Sequence, residues 1–227
     1  MNFNDSNNNP VIVRAQPSVL ATNSVLRNTY FLLSLTLLFS AATAAFAVAT
    51  NAQPGFILML VGMFGLLFLV TRLRNSAWGI LATFAFTGFM GYTLGPVLNS
   101  VMTNFANGGQ IVVTALGATG AIFLVLSAYV LTTRKDFSYM GGFLFAAITV
   151  AFLAGIGGML FNIPMLQLVV SGAFALLSSG LILFHTSQIV NGGERNYIMA
   201  TISIYIALYN LFVSLLQLLS VFGGNRE

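Results

Sequence analysis

Residues 197–222 read YIMATISIYIALYNLFVSLLQLLSVF. At ~1.5 Å per residue the stretch is long enough to cross a hydrocarbon core of ~30 Å. It is not uniformly apolar. Ser203, Asn210, Ser214 and Gln217 recur at spacings of seven, four and three, with Ala207 inside the same stripe and Tyr205 and Tyr209 beside it. Those spacings fall on one face of a helix. A spanning helix turns such a face towards protein or trapped water rather than lipid. The stretch is therefore expected to be a central helix with the others packed around it.

Working outward, the 227-residue chain is 58% hydrophobic and only 5% charged. Soluble domains carry ~25% charged residues, so an integral membrane protein is expected. There are 22 glycines and no cysteine, which excludes disulfides and thiolate chemistry. The net charge is +4, but basic residues occur singly or in pairs, so no nucleic-acid patch is expected. In a membrane chain such charges report topology.

Residues 1–28 are polar, asparagine-rich and carry Pro10 and Pro17. No apolar core starts near Met1, so no cleavable signal peptide is expected, and the segment reads as a flexible cytosolic tail. Seven apolar segments follow, near 29–50, 55–72, 77–98, 110–132, 138–161, 163–190 and 197–222, leaving a short end at 223–227. The fold class is thus all-α, with seven transmembrane helices in one bundle over 29–222. Pro54 and Pro164 stand where helices start, positions at which a missing N–H costs little. Pro96 is expected to bend or end the third segment.

The charges alternate between connections. Arg14 and Arg27 precede the first segment, Arg72 and Arg74 follow the second, Arg134, Lys135 and Asp136 follow the fourth, and Glu194 and Arg195 follow the sixth. The other three connections are uncharged. The positive-inside rule then places the N-terminus in the cytoplasm and the C-terminus, with Arg226 and Glu227, outside.

Residues able to do chemistry are few, and no enzyme is expected. The acidic residues Asp5, Asp136, Glu194 and Glu227 all lie outside the apolar segments, so no intramembrane carboxylate pair exists. No HExxH zinc motif occurs. Ser178 and Ser179 share a segment with His185, the single histidine, but spacings of seven and six leave the side chains ~9–10 Å apart. A serine from another helix remains an open alternative. His185 itself has two readings: a neutral imidazole bonded to a hydroxyl such as Ser203, or a gate that responds to protons. Gly91 and Gly95 form a GxxxG after Gly88 and before Pro96, read as packing within the bundle. Thr36, Ser40 and Thr43 share one face of the first segment and read as interhelical hydrogen bonds.

Several longer stretches carry a resemblance. Leu26-Arg27-Asn28-Thr29-Tyr30-Phe31-Leu32-Leu33-Ser34, the Gly91 to Pro96 run, Ser127 to Asp136, and Gly192-Gly193-Glu194 through Tyr209-Asn210-Leu211-Phe212-Val213-Ser214 resemble the Bax-inhibitor (TMBIM) family. The likeness covers nearly all of the chain after the tail and is greatest to bacterial members that modulate a membrane protease. It implies six helices around a seventh, in the bacterial inner membrane. The implied partners are the bilayer and FtsH, an ATP-dependent protease of that membrane, with no cofactor. It further implies that the chain restrains attack on other membrane proteins while being a slow substrate gripped by its tail.

Other members of this family are pH-sensitive calcium leaks that use two aspartates, late in the sixth helix and midway along the seventh. Local motif carries those positions onto His185, after Leu183-Phe184, and Ala207, three residues before Asn210. Neither is a carboxylate, so the resemblance implies the fold without the divalent site. A cation or proton leak along the Ser203 to Gln217 stripe stands as the alternative.

The topology is directly testable because the chain lacks cysteine. In intact cells, single cysteines at Asn75 and Asn191 are expected to resist an impermeant thiol reagent, while one at Asn104 labels. Labelling at the first two positions but not the third would invert the orientation.

Overall fold

A computed structural model describes residues 19–224, with side chains from residue 24 onward. The first 18 residues, including Arg14, and the last three, including Arg226 and Glu227, lie outside the described residues. The described chain forms seven helices: α1 (Val19–Ala49), α2 (Phe56–Leu73), α3 (Trp78–Asn104), α4 (Gly108–Thr133), α5 (Met140–Leu160), α6 (Pro164–Val190) and α7 (Tyr197–Phe222). All seven are long and apolar enough to cross a membrane. Large apolar side chains such as Phe31, Phe46, Phe68, Leu124, Phe145 and Leu176 cover the outside. A water-soluble bundle would bury those groups; in a bilayer they meet lipid.

Two helix boundaries depart from the sequence expectation. Helix α1 begins at Val19, ten residues before the apolar segment does. Between Pro17 and Asn51 there is neither proline nor glycine, so nothing in the sequence interrupts the helix where its apolar character fades. Helix α3 passes through Pro96 and continues to Asn104 instead of stopping near residue 98. A residue before proline is pushed out of the helical region by contact with its own Cβ, and Gly95 has none. Pro164 opens α6 as expected, whereas Pro54 precedes Gly55, the cap of α2. Asn51, Asn162 and Arg134 turn the chain with positive φ of about 50°. Asparagine tolerates that left-handed conformation better than most residues do.

Helix α7 packs against α1, α2, α3, α4 and α6, while among the described residues α5 packs on α6 alone and forms an outer layer. Its buried positions include Ile198, Ile202, Ile204, Tyr205, Ala207, Leu211 and Leu216. The centre is shared, however. Helix α3 is as deeply buried and has the lower mean hydropathy, 1.3 against 1.9 for α7. Two apolar clusters stack along this axis. One, around Leu33, Phe86, Ile182 and Ile202, lies towards the charged connections. The other, around Ala44, Leu94, Ala115 and Phe212, lies towards the uncharged ones.

The most extensive helix pair is α1 with α3. In lipid there is no hydrophobic drive between helices, so close backbone approach must supply the attraction. Glycine permits it here. A Cβ on Gly91 would strike the Ser40 carbonyl and the Thr43 hydroxyl, and one on Gly95 would strike Ala47. The GxxxG run is therefore committed inside the bundle. Gly88 differs, since its added Cβ would meet only the ring edge of Phe39, a side chain 43% exposed and free to swing. Accordingly, Gly91→Ala is expected to cost ~1–3 kcal/mol by forcing the helices apart, and Gly88→Ala distinctly less. Unfolding in mild detergent measures both; equal losses would contradict the packing account.

Candidate functional site

Where α1, α3 and α7 meet, the Tyr205 hydroxyl lies 2.7 Å from Ser40 Oγ and donates to the Thr87 carbonyl at 3.1 Å. A phenol has one proton, so Ser40 must be the donor in the first contact. Nearby, Thr93 gives its proton to the Met90 carbonyl at 2.7 Å, and Tyr209 therefore donates to Thr93 Oγ1 across 3.3 Å. The rings support this arrangement: Phe86 stands edge-on to Tyr205 with centroids 6.2 Å apart. Tyr205 is 2% exposed, yet its hydroxyl is fully used. Of the expected stripe on α1, only Ser40 crosses to another helix. Thr36 folds back onto the Leu32 and Leu33 carbonyls, and Thr43 onto that of Ser40. The polar centre thus rests on Tyr205 and Tyr209, which sequence reading treats only as neighbours of the stripe. The available signal is their own spacing of four, matched by hydroxyls on two other segments.

The stripe residues are distributed differently. Gln217 is exposed, but its Oε1 accepts from the Ser171 hydroxyl at 2.7 Å and ties α7 to α6. Ser203 and Asn210 are half-buried, Ser214 is buried, and Ala207 is completely enclosed. His185 on α6 is half-buried and stands edge-on to Phe184. Among the described residues no hydrogen bond reaches its ring, so the hydroxyl partner expected for it, Ser203 included, is not in place. Equal depth along antiparallel helices does not ensure that two side chains point at each other. Among the described residues the buried hydroxyls of Thr29, Tyr30, Ser127 and Thr186 have no partner. Ser127 and Thr186 lie ~9 and ~6 Å from the charged ends of α4 and α6.

The charged connections form one knitted face. Asn196 caps α7 by accepting from the N–H groups of Ile198 and Met199. Its amide donates to the Arg74 carbonyl and to Asn75, joining the α2–α3 and α6–α7 connections. Ser187 accepts from Phe137 N–H and donates to the Lys135 carbonyl, while Gln188 donates to Ser138. Ser138 donates from both its N–H and its hydroxyl to Asp136, which holds that exposed carboxyl below its ordinary range. Arg27, Arg72, Arg74, Arg134, Lys135 and Arg195 are all exposed. At the opposite end the contacts are neutral, between Asn51 and Asn99 and between Asn107 and Gly223.

Side-chain bonds inside a membrane contribute ~0.6 kcal/mol on average. Tyr205→Phe also leaves Ser40 without its acceptor, so a loss of ~1 kcal/mol is expected. A cycle with Ser40→Ala is expected to show coupling of ~0.5 kcal/mol or more, since the residues touch. Additive losses from the two substitutions would remove this node from the account.

Comparison with known proteins places the chain firmly. A family model described as "Inhibitor of apoptosis-promoting Bax1" matches residues 22–224. A protein of Escherichia coli K12 named "Modulator of FtsH protease YccA" is 54% identical over 203 residues, covering 89% of this chain and 92% of that one. An uncharacterised protein of Pseudomonas aeruginosa is 51% identical over 204 residues, covering 89% and 91%. An uncharacterised membrane protein of Vibrio cholerae is 43% identical over 222 residues, covering 96% and 99%. The seven spanning helices, the extent of these matches and the motifs they contain make this chain a membrane protein of the Bax1-inhibitor family.

Proposed function

We propose that this protein modulates an FtsH-type membrane protease: it binds the protease in the bacterial inner membrane, restrains degradation of other membrane proteins and is itself degraded slowly. The observation that carries this reading is the 54% identity, along 89% of the chain, to a protein named for that role. A relative from a second Escherichia coli strain, O6:H1, also 54% identical over 203 residues, is named an inner membrane protein. The charge alternation supports a cytoplasmic N-terminus, which would give a cytosolic ATPase access to the polar first 18 residues. The knitted cationic face around Arg74, Arg134, Lys135 and Arg195 supports a docking surface on the side of the charged connections. A closely packed bundle fits slow extraction, since the protease must unfold it helix by helix.

One observation favours a second reading, a proton or cation leak of the kind found elsewhere in the family. The hydroxyls of Thr29, Tyr30, Ser127 and Thr186, enclosed and without a partner among the described residues, are groups that water would bond if the bundle opened at its charged end. Beyond them the path meets Tyr205, whose hydroxyl is already spent, and Ala207, which holds no charge. This arrangement supports enclosed polar positions rather than a through-path.

Affinity capture in mild detergent is expected to co-purify FtsH, and deletion of residues 1–18 to lengthen the protein's lifetime several-fold in cells that contain the protease. An unchanged lifetime, both on deletion and in cells without FtsH, would overturn the proposal. Proton flux through the purified protein in liposomes without FtsH capture would instead favour the leak.

A further inference from the structure

Among the described residues the backbones of α1 and α4 do not pack on one another, although both helices lie against α7. Between them is a groove of about 580 Å³, floored by α3 and α7. Its walls are small on one side and spare on the other: Ala41 and Ala45 from α1, Leu116 and Gly120 from α4. A Cβ on Gly120 would meet nothing within 4 Å. Towards the charged end the groove is closed by Phe123, which stacks on Tyr30 with ring centroids 5.8 Å apart and planes 27° from parallel. The groove runs from Leu37 to Ala49, a rise of ~18 Å along α1. One leaflet contributes half of the ~30 Å hydrocarbon core. The groove is thus about one leaflet deep and lies in the half of the bundle away from the charged connections.

The lining chemistry identifies the occupant. Four residues in it carry hydroxyls, and each is already bonded: Ser40 with Tyr205, Tyr209 with Thr93, and Thr119 to the Ala115 carbonyl at 2.7 Å. No hydroxyl proton is left to donate to an anionic headgroup, and the lining offers no charge to an ion. A partner's spanning helix does not fit either. It would need ~30 Å of length to cross the core, and the groove offers ~18 Å. On both sides the groove is continuous with the lipid-facing surface, through Leu38 and Phe46 on α1 and Val113 and Leu124 on α4, all more than 60% exposed. We propose that this groove is a binding site for one phospholipid acyl chain, drawn from the leaflet opposite the charged connections. The chain fills the space between α1 and α4 beyond the Tyr30–Phe123 ring contact, and its tip rests on Phe123.

Trp78, the single tryptophan, is exposed at the start of α3 and is removed as Trp78→Phe for the test. In that background Phe123→Trp reports the closed end of the groove, and Leu116→Trp reports its wall should the first variant fail to fold. Leu124→Trp is the lipid-facing control. In vesicles of phosphatidylcholine brominated on the acyl chains, groove reporters are expected to be quenched to within about twofold of the control. Adding Ala45→Phe, which fills the groove, is expected to reduce quenching of the groove reporters at least twofold and leave the control unchanged. Quenching of the groove reporters that survives Ala45→Phe overturns the proposal, as does absence of quenching in both reporters while the control responds. Quenching of Phe123→Trp by aqueous iodide would show a wet cavity and also overturn it.

Discussion

The bundle depends on one hydroxyl. Tyr205 lies at the junction of α1, α3 and α7, accepts from Ser40 and donates to the backbone of Thr87. In hydrocarbon an unpaired hydroxyl is costly, and lipid offers no partner. A phenol at this position therefore fixes the rotation of α7 against both neighbours, because turning the helix by one residue would strand it. The glycine seam between α1 and α3 serves the same junction. It brings Ser40 close enough to α3 that a single side chain from α7 reaches both helices. Polar satisfaction and close packing are here one constraint.

Much of this was legible in the residues. Charge alternation, apolar length and the breaks at Asn51, Asn162 and Asn191 delimit seven helices, and the polar stripe marks α7 as interior. The glycine run gives the close approach of one helix, though not its partner. Three features escaped. The depth of α3 is masked because the polar residues along its buried first half are threonines, whose hydroxyls fold back onto their own helix, as Thr83 and Thr87 do. The early start of α1 is hidden because a helix outside the apolar zone has no hydrophobic signature. The outer position of α5 is a matter of topology: a helix covered on one face and one covered on several read alike when both are apolar.

The candidate site was harder to read than the fold. Spacing along one helix places Ser203, Ala207, Asn210, Ser214 and Gln217 on a common face, and the structure adds what lies opposite. Only Gln217 finds a side-chain partner there, Ser171. His185 has a ring neighbour and no hydrogen bond. Side-chain pairing between helices depends on rotations of a few tens of degrees, which sequence periodicity does not resolve. With His185 and Ala207 at the two positions where the family resemblance implies acids, the interior offers packing and hydroxyls rather than a divalent site. That leaves function to surfaces: an exposed cationic face, an N-terminal segment and a lipid-facing exterior. These suit a protein that works by occupying a partner in the same membrane.

The direct test is a reconstituted degradation assay. Purified FtsH in proteoliposomes degrades a second membrane substrate, with ATP, in the presence of increasing amounts of this protein. The account predicts that substrate half-life rises with the amount added, and that the protein itself is lost more slowly than the substrate it spares. A substrate half-life unchanged at saturating amounts, with the protein intact throughout, would contradict it.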